Sequence, residues 1–176
     1  MLVRPATFLV LAGVLATAPS ALAQAAPPNP TPSQIQRALK EVARSPNLWA
    51  TVNICNTRRY RDKLGIRGQM PALGFPSRLT MTIGVDYWVS TQKQFKPIPG
   101  FKKLLVIVGT FSSGAQQGGS TFTFMPHAGL LRGRVTFVYK RAGKTLGSIT
   151  RETTGNHKHV DQAHPPGHSA ATCTIN

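Results

Sequence analysis

Residues 79–87 read LTMTIGVDY, with an apolar or aromatic side chain at every odd position and Thr, Gly or Asp at every even one. Successive side chains of a β-strand point to opposite faces of the sheet. The pattern therefore predicts a strand with one face in the core, whereas a helix would need apolar residues at a spacing near 3.6. This stretch favours a β-fold, and the segments around it extend the same prediction.

Two neighbouring segments also read as strands. Residues 48–55, LWATVNIC, alternate in the same way. Residues 102–108, KKLLVIV, end in a continuous apolar run that is too short for a helix, which predicts a central strand buried on both faces. Further candidate strands are 120–125, 134–140, 145–152 and 169–175. Short strands separated by Gly- and Pro-containing turns predict an all-β fold, a single β-sandwich over residues 47–176.

One short helix is predicted before the sandwich, at residues 32–46. Ser33 is the predicted N-cap, and Pro46 ends the helix because the residue before a proline disfavours helical geometry. The apolar residues of this segment follow the spacing i, i+3, i+4, i+7 and would form a single stripe along the helix. They are Ile35, Ala38, Leu39 and Val42. Residues 24–31, QAAPPNPT, are Pro-rich and predict an extended tether.

The first 23 residues have the three parts of a signal peptide. Arg4 gives a positive start, residues 6–16 form an apolar run, and residues 21–23 (Ala-Leu-Ala) fit a cleavage site. A membrane span needs about 20 apolar residues, roughly twice the length of this run. The segment therefore predicts export, with cleavage before Gln24 and a secreted product of 153 residues.

The charge balance is strongly positive. Lys and Arg outnumber Asp and Glu by 21 to 5, which gives a net charge of +16, or +15 once Arg4 is removed. So few acids argue against enzymes that need paired carboxylates and against a carboxylate-rich calcium site. No G-x-S-x-G or P-loop motif occurs, so no catalytic residue is predicted. A positive field attracts polyanions.

The two cysteines, Cys55 and Cys173, are an even number in a chain with a predicted export signal. Disulfides form and persist outside the cytosol, and two thiols allow one internal pairing. We therefore predict a Cys55–Cys173 disulfide. The alternative is a catalytic thiol, which would need a lone reactive cysteine with a base nearby.

Four segments carry a resemblance to known proteins. They are residues 49–55 (WATVNIC), 65–71 (GIRGQMP), 133–139 (GRVTFVY) and 169–173 (SAATC). In these segments the chain resembles small secreted proteins of high-GC Gram-positive bacteria that have immunoglobulin-like sandwiches. The resemblance implies the fold and export, and it implies no activity.

The densest basic run offers a candidate anion-binding site. Its residues are Arg58, Arg59, Tyr60, Arg61 and Lys63. Guanidinium groups bind phosphate and carboxylate in a bidentate fashion, and the tyrosine adds a stacking surface. The alternative is a solvated loop between two strands.

Four of the five histidines lie within residues 157–168, HKHVDQAHPPGH. Imidazoles with one carboxylate suit Zn²⁺ or Cu²⁺. The candidate ligands are His157, His159, Asp161, His164 and His168. The alternative is a solvated His-rich loop, because the spacing matches no established zinc pattern. No other cofactor is predicted.

Together these features predict a secreted, non-enzymatic binding module, free or associated with the cell envelope. The predicted partners are anionic envelope polymers or other extracellular polyanions. The alternative function is an extracellular Zn²⁺- or Cu²⁺-binding protein that uses residues 157–168. The sequence predicts no oligomeric state.

Overall fold

The computed structural model describes residues 29–176, so the predicted signal peptide and residues 24–28 of the tether lie outside the described residues. The described part contains one helix and nine strands. These are α1 (Pro32–Arg44), β1 (Trp49–Cys55), β2 (Lys63–Pro71), β3 (Ser77–Val89), β4 (Gln94–Pro97), β5 (Leu104–Phe111), β6 (Ala115–Thr123), β7 (Gly129–Arg141), β8 (Lys144–Glu152) and β9 (Thr172–Ile175). Within residues 29–176 no helix has both the length and the apolar character needed to cross a membrane.

The strands form two antiparallel sheets. Sheet A has the order β1-β2-β6. Sheet B has the order β4-β3-β7-β8, with β5 beside β3 and β9 beside β7. The prediction of an all-β sandwich with one short N-terminal helix is confirmed.

The sheets are built from strands that are not consecutive in the chain. β1, β2 and β6 form sheet A, and β3, β7 and β8 lie side by side in sheet B. β5 pairs with β3 and therefore belongs to sheet B. The resemblance to immunoglobulin-like sandwiches stays a prediction.

The core lies between the two sheets. On β3 the odd-numbered positions face inward, where Leu79, Met81 and Ile83 are fully buried, as their alternation predicts. From β7, Phe137 and Tyr139 are also fully buried. This apolar filling holds the sheets face to face and fixes the position of every loop between them.

A disulfide joins the two sheets covalently. Cys55 at the end of β1 is bonded to Cys173 in β9, with Cα atoms 5.3 Å apart. The predicted pairing is confirmed. It links sheet A to sheet B, because β9 pairs with β7.

Helix α1 packs against β8. Val42 is buried, and Leu39 lies so close to Gly147 that a Cβ on this glycine would be 2.6 Å from Leu39 Cδ1. The prediction that Ser33 is the N-cap is wrong. Thr31 caps the helix, because its Oγ1 accepts a bond from the Gln34 N–H at 3.3 Å and Gln34 Oε1 accepts one from the Thr31 N–H at 2.7 Å. The helix ends at Arg44, two residues before the predicted end.

The prediction that residues 102–108 form a central strand, buried on both faces, is wrong. The strand exists as β5, but it is an edge strand of sheet B and not a central one. Its inward residues, Val106 and Val108, pack against the core, whereas Leu105 and Ile107 on the other face are 59 % and 58 % exposed. A continuous apolar run does not reveal whether a second layer covers its outer face.

Strand β2 has no counterpart in the sequence-based prediction, because its glycines read as turn formers. Two glycines of β2 are required because neighbouring side chains leave no room for a Cβ. A Cβ at Gly65 would lie 2.6 Å from Asn53 Oδ1, and one at Gly68 would lie 2.9 Å from Phe137 Cε1. Glycine inside a strand often marks such a close approach.

Candidate anion-binding loop and the His-rich segment

The basic run forms a turn between β1 and β2, which we call the arginine loop, residues 56–63. The Asn56 N–H donates to the Lys63 carbonyl at 2.9 Å, and the Asp62 N–H donates to Asn56 Oδ1 at 2.9 Å. Asn56 and Asp62 both have positive φ values, 39° and 56°. Asn and Asp tolerate this region better than most residues, so the sequence suits the turn.

The loop is also attached to sheet A from the side. The Phe124 N–H, just after β6, donates to the Asp62 carbonyl at 2.9 Å. The Tyr60 N–H donates within the loop to the Thr57 carbonyl at 2.9 Å. These backbone bonds hold the loop in one shape without any ligand.

The loop presents its guanidinium groups to solvent. Arg58, Arg59 and Arg61 are exposed, and Lys63 is half-buried. In the described part of the chain, all ion pairs lie elsewhere, among Arg132, Arg134, Asp86 and Glu152. No ion pair of residues 29–176 therefore involves a basic side chain of the loop, and the loop's own carboxylate is that of Asp62.

Tyr60 is held between the loop and the His-rich segment. The Arg59 Cζ atom lies 5.7 Å from the centroid of the Tyr60 ring. The His164 ring packs against Tyr60 in a T-shaped arrangement with ring centroids 5.0 Å apart, and His164 Nδ1 lies 3.1 Å from Thr57 Oγ1. A cation over an aromatic face and an edge-on aromatic pair are both favourable. His164 therefore belongs to the environment of the arginine loop.

The His-rich segment, residues 157–168, lies across the outer face of sheet A. Asn53 Nδ2 donates to the carbonyls of Asp161 and Gln162 at 3.2 and 3.0 Å. On β6, the Gln117 side chain donates to the His159 carbonyl at 2.8 Å and accepts from the Asp161 N–H at 2.9 Å. The segment is thus fixed to the sheet by side chains of two strands.

The same contacts explain the burial of β1 on both faces. Its inward side chains fill the core, and its outward residues Thr51 and Asn53 are buried as well. Thr51 Oγ1 lies 2.8 Å from Ser169 Oγ, just after the His-rich segment. The segment serves as a polar cover for sheet A.

Arg67 at the centre of this cover was not singled out from the sequence. It is only 9 % exposed, and its Nη2 donates to Gln162 Oε1. Burial lowers the pKa of Arg67, and the negative charge of Asp161 opposes that shift. The sequence signal for Arg67 is a charged residue inside a strand, but the sequence pattern does not predict strand β2. Arg67 therefore attaches the His-rich segment to sheet A, and its side chain is not exposed to solvent.

The predicted metal ligands make separate contacts. His157 stacks on Trp49, with ring centroids 4.6 Å apart, while His164 contacts the arginine loop. His159 is exposed, and His168 is half-buried. Within residues 29–176 no three His, Cys, Asp or Glu side chains lie close enough together to hold a metal ion. Metal binding by His157, His159, Asp161, His164 and His168 stays a prediction.

The stacking of the half-buried His157 ring on Trp49 predicts a pH effect on stability. Burial lowers the pKa of His157 from 6.5, so the unfolded chain takes up a proton at a higher pH than the folded protein does. The contribution of His157 to stability is therefore complete above about pH 6.5 and is lost as the pH falls below that value.

We expect the free energy of unfolding, measured with urea, to fall between about pH 7.5 and pH 5. The fall should be smaller in His157→Phe, which keeps an aromatic ring on Trp49 but has no proton to bind. His159→Gln is the matched control at an exposed position. An unchanged pH dependence in His157→Phe would contradict the assignment.

No protein-family model matches this chain, and comparison with curated proteins and with solved structures finds no match either.

Proposed function

We propose that the protein is a secreted, non-enzymatic module that binds anionic polymers of the extracellular space or cell envelope through the arginine loop. The observation that supports this most directly is the exposure of Arg58, Arg59 and Arg61 on a turn already closed by its own hydrogen bonds. A preformed loop loses little conformational entropy on binding, so more of the contact energy appears as affinity.

The chemistry of the loop favours a polymer that carries phosphate, sulfate or carboxylate groups. Arginine presents a planar fork that binds two oxygens of such a group at once. Tyr60 provides an aromatic surface beside Arg59, against which a sugar ring or a base can pack. The net charge of +15 that the chain has without residues 1–23 raises the local concentration of polyanions and speeds association.

Export is part of the proposal. The Cys55–Cys173 disulfide is typical of oxidising compartments, and residues 1–23 have the pattern of a signal peptide. Anionic polymers are abundant at cell surfaces, so the predicted location and the predicted ligand agree.

Removing the three arginines should weaken binding to heparin, used as a sulfated probe. An exposed ion pair contributes roughly 0.2–1 kcal/mol, so loss of three contacts in Arg58→Gln/Arg59→Gln/Arg61→Gln should lower affinity about 3- to 150-fold. The measurement is the dissociation constant at several salt concentrations. The dependence on salt should also become less steep, because fewer counterions are exchanged.

The matched control is Arg37→Gln/Lys40→Gln/Arg44→Gln, which removes the same charge from exposed positions of α1. We expect this control to change the affinity much less than the loop variant. Equal losses in the two variants would mean that heparin responds to total charge, and the arginine loop would no longer be a site.

A further inference from the structure

The outer face of sheet B carries exposed aliphatic side chains beside basic ones. Leu105 and Ile107 of β5 are 59 % and 58 % exposed and lie on the side of the strand away from the core. In the register they are opposite Thr82 and Thr80 of β3, whose side chains share that outer face. They border a groove of about 540 Å³.

Basic side chains close this groove on the other side. Arg78 of β3 and Lys140 of β7 are direct cross-strand partners and both line it. Arg141 shapes its end, since its guanidinium donates to the Pro76 carbonyl at 2.5 Å and to Asn29 Oδ1 at 3.1 Å. The groove has no acidic lining residue.

The basic character continues along the face. The Lys103 side chain lies over Gly84, where an added Cβ would be 3.7 Å from Lys103 Cγ. The carboxylates farther along the face are already paired: Asp86 lies 2.5 Å from Arg134, and Glu152 lies 2.6 Å from Arg132. We call the surface formed by Leu105, Ile107, Arg78 and Lys140 of the groove, together with Lys103 beyond it, the β5 face. This surface is apolar and cationic.

Other borders of the sandwich are covered by parts of the same chain. β1 forms backbone bridges to Thr153, His164 and Ala170, and β8 is packed by Leu39 of α1. Within residues 29–176 no element covers Leu105 and Ile107, which remain among the most exposed large apolar side chains. A surface of this kind usually marks an interaction site.

We propose that the β5 face docks on an anionic phospholipid surface. Leu105 and Ile107 enter the boundary between headgroups and acyl chains, while Arg78, Lys140 and Lys103 contact lipid phosphates. Aliphatic side chains surrounded by Lys and Arg are the combination that binds proteins to the interface of anionic membranes. All of these side chains project from one face, which suits a flat partner.

Two other occupants fit less well. A second copy of the chain carries the same large positive charge and would be repelled. An extended acidic peptide would add to the free edge of β5. That edge is interrupted by the irregularity at Gly109, where φ is 141°, and begins after Lys102 and Lys103. The exposed side chains stand on the face of the sheet and not along its edge.

The β5 face is distinct from the arginine loop. Lys140 is near the end of β2, because its neighbour Tyr139 donates from its hydroxyl to the Pro71 carbonyl at 3.1 Å. The arginine loop precedes the start of β2, at the opposite end of the sandwich. The two surfaces are therefore separable by mutation.

The test is co-sedimentation of the exported protein with vesicles of phosphatidylcholine, with or without about 30 % phosphatidylglycerol. We expect binding to the anionic vesicles that weakens as salt is added. Leu105→Thr/Ile107→Thr should lower the partition coefficient about tenfold, because the variant gives up much of the apolar surface that leaves water on docking. Arg78→Gln/Lys140→Gln should lower the preference for anionic over neutral vesicles about 30-fold, since each basic residue near the surface contributes about 1 kcal/mol.

Matched controls separate the surfaces. Met125→Thr removes another apolar side chain that is 80 % exposed, and Arg58→Gln/Arg59→Gln/Arg61→Gln removes the arginine loop. Both controls should bind vesicles at least half as well as the wild type. All replaced residues of the β5 face are at least partly exposed, so the variants should fold, which thermal unfolding will verify.

Three results would overturn the proposal. The first is absence of binding to anionic vesicles at low salt. The second is loss of vesicle binding in the arginine-loop variant but not in Leu105→Thr/Ile107→Thr, which would assign the attraction to the loop and leave the proposed function intact. The third is binding of polyglutamate that the Leu105→Thr/Ile107→Thr pair weakens as strongly as vesicle binding, which would point to an acidic peptide.

Discussion

Replacement of Cys55 and Cys173 by alanine should lower the free energy of unfolding by up to about 5 kcal/mol. The two residues are 118 positions apart, and on the chain-entropy model closing so long a loop in the unfolded chain stabilises the folded protein by about that amount. The bond also joins β1 of sheet A to β9 of sheet B, so its loss leaves the two sheets without a covalent link. We expect the variant to be partly or wholly unfolded at 37 °C.

Urea unfolding of the wild type, of the reduced wild type and of Cys55→Ala/Cys173→Ala measures this effect. The reduced wild type keeps both sulfur atoms, so it separates the covalent link from the packing of Cys173, which is buried. Reduced and oxidised proteins with the same unfolding midpoint would contradict the prediction.

Phe137→Ala should cost about 3–5 kcal/mol of unfolding free energy, the usual range for a fully buried phenylalanine. Phe137 is fully buried in the middle of β7 and reaches across to sheet A. The absence of a side chain at Gly68 makes room for its ring, since a Cβ there would lie 2.9 Å from Phe137 Cε1 and 3.1 Å from Met81 Sδ.

A double-mutant cycle tests this packing directly. Gly68→Ala should destabilise the wild type by about 1–3 kcal/mol, because the added methyl group meets the ring. In the Phe137→Ala background the same methyl group enters the vacated space, so its cost should be smaller. Additive effects of the two substitutions in chemical unfolding would show that the residues are not in contact.

The alternation of apolar and polar side chains was sufficient to predict most strands. Residues 79–87 carry that pattern and form the central part of β3, and residues 48–55 carry it and contain the whole of β1. The same reasoning does not predict β2, because Gly65 and Gly68 are dictated by contacts with Asn53 and Phe137, which are distant in sequence or in the other sheet. The sequence pattern also predicts β5 as a central strand, although it is an edge strand. Which strands pair with a given strand is decided by the whole fold.

The candidate site is likewise only partly predictable from the sequence. The exposure of Arg58, Arg59 and Arg61 follows from their place in a polar turn between strands. The contact of Tyr60 with His164 joins residues 104 positions apart and depends on the path of the His-rich segment across sheet A. Sequence reasoning grouped His164 with its neighbouring histidines, because spacing along the chain does not reveal which strand a loop crosses.

The most direct test of the proposed function is a nuclear magnetic resonance titration of the isotope-labelled protein without residues 1–23 with a heparin hexasaccharide. We predict that the largest amide shifts fall in residues 57–63 and at His164, with smaller changes elsewhere. Arg58→Gln/Arg59→Gln/Arg61→Gln should abolish that cluster of shifts while leaving the remaining spectrum in place. Shifts spread evenly over all basic residues, or centred on α1 or the β5 face, would contradict binding at the arginine loop.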